Sequence, residues 1–197
     1  MMTDWTKLTQ NLEKRGFSVR RFAAKEEAAV YLDKEVDGVS VGFGGSMTVQ
    51  EMGLYPRLAA HNNAVWHWDK AGLEQAAVTD VYITSVNGLA ETGELINIDG
   101  TGNRVASTLF GHKKVYFVVG RNKIAPDYDA ALWRARNIAS PKNAQRLGMD
   151  TPCAVKGDKC YDCQSPHRIC RGLVVLWEKP KAIETMEVIL IDEELGF

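Results

Sequence analysis

The stretch Val39-Ser40-Val41-Gly42-Phe43-Gly44-Gly45-Ser46-Met47-Thr48 decides how this chain reads. Val39, Val41 and Phe43 alternate with small residues, the pattern of a strand. Gly44 and Gly45 let the backbone turn sharply and come close to a ligand. Ser46 is a good N-cap for a following helix, with Val49 and Met52 on one face. A strand, a glycine-rich turn and a helix start in that order suit an anion cradle built from free backbone N–H groups. They suit an ordinary tight strand-to-helix connection equally well.

Outward from this hub, strands alternate with helices. Before it, the sequence predicts a helix over Asp4–Arg15, a strand over Phe17–Phe22 and a helix over Lys25–Lys34. After it come a helix over Thr48–Ala60 broken at Tyr55-Pro56, a strand over Val65–Trp68 and a helix over Lys70–Ala77. Strands follow over Val81–Val86, turned by Asn87-Gly88, and over Glu94–Asp99. Gly100-Thr101-Gly102-Asn103-Arg104 is a second glycine-rich turn that opens a helix over Val105–Phe110. Then come a buried strand over Val115–Val119 and an amphipathic helix over Pro126–Ala139. A further turn of helix is capped by Ser140-Pro141, and strands over Leu173–Trp177 and Val188–Asp192 close the order. This alternation predicts α/β layering around a largely parallel sheet, with ligands beyond the carboxyl ends of its strands.

The 197 residues suit one domain with a proper core, carrying a cysteine-rich segment at 153–170. A net charge of -1 gives no basis for a nucleic-acid or membrane surface. No apolar run approaches the ~20 residues of a spanning helix. The first residues lack the basic start and apolar middle of a signal peptide, so a cytoplasmic location is expected. Thiols are then reduced by default. Homo-oligomerisation is left open.

Three constellations could carry chemistry. The four cysteines, Cys153, Cys160, Cys163 and Cys170, are spaced C-x6-C-x2-C-x6-C. Four thiolates complete a tetrahedral zinc site or hold an iron–sulfur cluster, and the spacing does not choose between them. Lys156, Lys159, Arg168 and Arg171 would offset their charge, and His167 could replace one ligand. Unligated thiols and paired disulfides are the alternatives. The second constellation is Ser85 to Glu94, where Glu91 follows a strand end as a general base, a nucleophile or a simple turn carboxylate. The third is Arg104 beside a helix start, suited to a phosphate or carboxylate or to a structural ion pair. There is no dinucleotide fingerprint, no P-loop and no Ser/His/Asp triad.

Gly42–Thr48, Ala90-Glu91-Thr92-Gly93, Gly102-Asn103-Arg104 and the Cys153–Cys170 set together resemble the LUD-domain family (lactate utilisation, former DUF162), over nearly the whole chain. The resemblance implies a three-layer α/β/α fold like ribose-5-phosphate isomerase and the CoA transferases. It implies an anion cradle at Gly44, Gly45, Ser46 and Thr48, with Thr92, Gly102, Asn103 and Arg104 at the same ligand and Glu91 as the cleft carboxylate. The isomerase turn carries threonine where Gly44 stands, and its lysine base finds no match here. The function implied is a part in lactate or related 2-hydroxy-acid oxidation beside redox partner subunits. An iron–sulfur centre on the four cysteines would transfer electrons. The alternative is an isomerase- or CoA-transferase-like enzyme, or a small-anion binding module, with structural zinc.

Overall fold

The computed structural model describes residues 3–68 and 72–197. Its centre is a six-stranded parallel sheet in the order β1 (Ser18–Phe22), β10 (Thr185–Ile191), β7 (Lys114–Gly120), β4 (Val81–Thr84), β2 (Ser40–Phe43), β3 (Asn63–Trp66). Both faces of the central strands are buried, which explains their near-continuous apolar runs. Along β7 the side chains split by parity. Tyr116 and Val118 join one core, while Val115, Phe117 and Val119 join the other.

The first core is closed by α2 (Lys25–Glu35), α3 (Met47–Glu51) and α4 (Leu54–Ala59), through Ala28, Leu32, Val49 and Leu58. The second is closed by α1 (Trp5–Lys14) and α5 (Gly72–Ala76), through Leu8, Leu12 and Ala76. Asp4 caps α1 by accepting the Lys7 N–H at 3.0 Å. The fold is therefore the α/β/α arrangement expected of the sequence, with a mostly parallel sheet. The expected start of the α5 helix at Lys70 lies outside the described residues.

Over the second core lies a smaller sheet that the strand pattern does not announce. Its order is β8 (Ile124–Ala125), β5 (Gly88–Ala90), β6 (Leu95–Asp99), β9 (Gly172–Leu176). Leu89 and Leu95 face the main sheet, whereas Ala90 and Ile96 face α7 (Tyr128–Arg134). Asn87-Gly88 is thus not the turn expected of it, because Gly88 opens β5. Only a glycine fits there: a Cβ would stand 2.5 Å from the Ala131 carbonyl oxygen of α7.

Two helix boundaries also differ from the sequence reading. The break between α3 and α4 falls at Gly53, where φ is 60°, and not at Tyr55-Pro56. Pro56 occupies the first turn of α4, where a missing N–H costs nothing. Further on, α7, a wide π-type turn at Ala135–Ala139 and α8 (Ser140–Arg146) run as one continuous helix. Ser140 has helical backbone angles and is no N-cap. Its N–H reaches back five residues to the Ala135 carbonyl, and its hydroxyl donates to the same oxygen at 2.9 Å. The wide turn absorbs Pro141, which brings no N–H of its own.

Candidate functional site

The carboxyl ends of β2, β4 and β7 are neighbours in the sheet, and the residues that follow them meet in one place. Gly45, Ser46 and Met47 follow β2, Ser85 and Asn87 follow β4, and Lys123 follows β7. Together with His67, Asn103 and Arg104 they line a cleft of about 490 Å³. Its far wall is α8 and the end of the cysteine segment, with Arg146, Arg168 and Arg171. Among the described residues, Arg104, Lys123, Arg146, Arg168 and Arg171 line the cleft, with Asp99 the one acidic side chain among them. Such a lining favours an anionic ligand.

The hub turn is held rigidly. The Gly44 N–H donates to the Ile83 carbonyl at 3.0 Å, and the Trp66 indole N–H donates to the Gly44 carbonyl at 3.2 Å. The Gly45 N–H donates to His67 Nδ1 at 3.1 Å, and the Asn103 amide meets the same nitrogen at 3.2 Å. Two donors on Nδ1 assign the neutral tautomer with its proton on Nε2. Burial pushes the His67 pKa down; Asp99 opposes this and Arg104 adds to it. The turn is thus a wall of the cleft whose first amides already have partners. Ser46 caps α3 as the sequence predicts, accepting the Val49 N–H at 3.3 Å.

Lys123 is the residue that sequence reasoning missed. It is 4% exposed, and its amine donates to Thr48 Oγ1 at 2.8 Å and Ser85 Oγ at 2.9 Å. Thr48 in turn donates to the Leu195 carbonyl at 3.1 Å, so its hydroxyl can only accept from the lysine. Burial, then Arg134 and Arg104, push the Lys123 pKa down to about 7. No motif marks this lysine. Its place after a buried parallel strand is the signal that could have found it.

Arg104 is nearly as buried, at 8%. Its Nε meets Asp99 at 3.2 Å. Its two terminal nitrogens donate to the side chains of Asn97 and Asn87 and to the carbonyls of Ser85 and Ile98. The guanidinium is therefore spent on tying the connection after β4 (through Ser85 and Asn87), β6 (through Asp99, Asn97 and Ile98) and α6 (Asn103–Ser107) together. Of the two readings of Arg104, the geometry matches the structural ion pair. Gly102 sits at φ 91°, and its N–H donates to Asp99 Oδ1 at 2.7 Å.

Glu91 and Thr92 are brought elsewhere. Glu91 is absent from the cleft lining and lies against α1: its carboxylate accepts the Asp4 N–H at 3.4 Å, and its carbonyl accepts from Asn11 at 2.7 Å. Thr92 donates to Glu94, and its carbonyl accepts from Arg15 Nε at 2.8 Å. The Glu-Thr-Gly motif thus builds the contact of α1 with the small sheet. The cleft position expected of Glu91 rested on a strand ending at Asn87-Gly88 and on the family resemblance, whereas the chain continues there into β5.

The four cysteines are all free thiols. Cys153 lies on α9 (Pro152–Lys156) beside Thr151, 3.4 Å from its hydroxyl. Arg136 approaches the Cys160 sulfur at 3.9 Å, and Arg168 approaches the Cys170 sulfur at 3.5 Å. Cys160 and Cys170 line a second cavity of about 230 Å³. That cavity shares Ile98, Ser140, Arg168 and Arg171 with the cleft. Four thiols are the donor set of a zinc or iron–sulfur centre. In this arrangement, among the described residues, no three His, Cys, Asp or Glu side chains stand together as a group that could hold a metal ion.

No curated protein matches this chain. A crystal structure of a DUF162 family protein from Deinococcus radiodurans is similar in fold, with a TM-score of 0.56 at 14% identity over 94% of each chain. The model of the LUD domain matches residues 5–191, which is nearly everything described above. The chain belongs to the LUD domain family.

Proposed function

We propose that this chain serves 2-hydroxy-acid utilisation, lactate being the simplest case, by binding the acid or its 2-oxo product in the cleft. The observation that carries this reading is Lys123, a buried amine at the floor of a cation-lined cleft. The carboxylate of a small acid is drawn by the charges of Arg146, Arg168 and Arg171. The amine lies below it between two hydroxyls. A lysine that titrates near neutrality can both give and take a proton at an oxygen or carbon of the ligand. Chemistry in the cleft is built on Lys123, since Glu91 stays outside it.

The test is thermal unfolding with lactate, pyruvate, inorganic phosphate and CoA added in turn. A small carboxylate at about 100 times its dissociation constant is expected to add about 2.7 kcal/mol, several degrees in Tm. The rise is expected to vanish when Gly45 is replaced by valine, whose side chain enters the space of His67. No rise with either acid overturns the reading. A rise with phosphate or CoA alone points instead to the isomerase- or transferase-like class.

A second reading concerns the cysteine segment, favoured by the guanidinium groups on the sulfurs of Cys160 and Cys170. Cys153, Cys160, Cys163 and Cys170 would close together around an iron–sulfur cluster that passes electrons to a partner subunit. No step at Lys123 depends on it. Protein purified without oxygen is expected to contain iron with acid-labile sulfide. Zinc alone would make the segment structural, and no metal would remove the electron-transfer role.

A further inference from the structure

Lys123 poses a question that ligand binding alone does not answer. A buried ammonium is costly, and structural ones are paired with carboxylates. Among the described residues, Lys123 has only the hydroxyls of Thr48 and Ser85 within hydrogen-bond reach. Its charged neighbours, Arg134 and Arg104, repel the ammonium form, and only Glu51 favours it. Burial and these neighbours favour the unprotonated amine, which lines the cavity with a hydroxyl on each side. A neutral buried amine is a nucleophile toward carbonyl carbon.

Resting on the reading of the cleft as a 2-hydroxy- or 2-oxo-acid site, we propose that Lys123 captures the 2-oxo acid covalently. The Nζ lone pair adds to the keto carbon, forming the N–C bond, and the carbonyl oxygen takes up a proton. The resulting carbinolamine loses that oxygen as water. The amine gives up two protons in all and the keto group its oxygen, so amine plus ketone yields imine plus water with no oxidant or reductant. Ser85 Oγ, 2.9 Å from the amine, is placed to pass a proton to the leaving oxygen. Thr48 is not, because its own proton is committed to the Leu195 carbonyl. Lactate has no carbonyl and binds without reacting.

The experiment is reductive trapping on the whole protein. Pyruvate and sodium cyanoborohydride are added, and the modified lysine is located by peptide mass spectrometry. One reduced adduct per chain is expected, on Lys123, forming more than about tenfold faster than on any other lysine at pH 7.5. Its rate is expected to rise through about pH 7, where Lys123 loses its proton, and not through the range of exposed lysines. Ser85→Ala, which keeps the amine, is expected to slow trapping several-fold, and Lys123→Arg to abolish it. Peptide mapping of the unaltered protein decides even if the arginine variant does not fold. If pyruvate raises Tm and adducts are absent or spread evenly over surface lysines, the imine is overturned and the binding reading stands. If neither lactate nor pyruvate raises Tm, the binding reading fails first.

Discussion

Replacing Arg104 by methionine is expected to lower stability by about 3–5 kcal/mol, the cost of leaving a buried charge and its acceptors without a partner. In a chain of this size that is about 10 °C in Tm or more. The reason is where its five donors go. Asp99 takes one, and the side chains of Asn97 and Asn87 and the carbonyls of Ser85 and Ile98 take the rest. These groups lie on β6 and in the connection from β4 to β5, and only a planar fork can serve them together. Arg104→Lys is therefore expected to recover less than half of the loss, since a point charge cannot span five acceptors. Urea titrations of the three proteins measure this. A loss below 1 kcal/mol in the methionine variant would mean that water replaces the guanidinium without cost.

The second large effect has the opposite sign. Lys123→Met is expected to gain stability relative to the unaltered protein as pH falls. In the unfolded chain the lysine titrates at its ordinary 10.5, in the folded protein at about 7. Between these values the unfolded chain binds more protons, so the stability of the unaltered protein rises with pH. The penalty is complete below pH 7 and gone above about 10.5. The methionine variant has no such dependence. From pH 9 to pH 6 the difference is expected to move about 2–3 kcal/mol in its favour, roughly 5–10 °C in Tm. Removing a functional group and gaining stability is the usual trade at a strained site. A difference that stays flat with pH would show the amine to be charged in the fold, and would remove the basis for its nucleophilic role.

The hub was legible because its signals are local. A strand of alternating apolar residues, two glycines and a capping serine appear in the structure as β2, the turn and α3. The parallel order was legible too, since buried parallel strands read as apolar runs. The small sheet was hidden because its strands are short and Gly88 imitates a turn; its glycine answers the backbone of α7 instead. Glu91 drew attention for the same local reason, yet its carboxylate and carbonyl meet residues 80 or more positions away, on and before α1. Lys123 was invisible for the converse reason. Nothing beside it in sequence explains it, and its meaning comes from Thr48 and Ser85, brought near by adjacent strands. Functional groups assembled at the carboxyl ends of neighbouring strands are poorly encoded in any single window of sequence.

The wide turn at Ala135–Ala139 works like one extra tooth in a gear. Each residue of an α-helix advances the side chains by about 100°, so one added residue resets the phase of all that follows. Upstream, Ala131 and Ala135 mesh with the small sheet. Downstream, Ser140, Asn143, Arg146 and Leu147 face the cleft. Removing a single residue from the turn would restore the ordinary pitch and rotate that second set away, stripping one wall of its charge while leaving the composition almost unchanged. Along this helix the spacing of residues, more than their identity, aims the cationic wall.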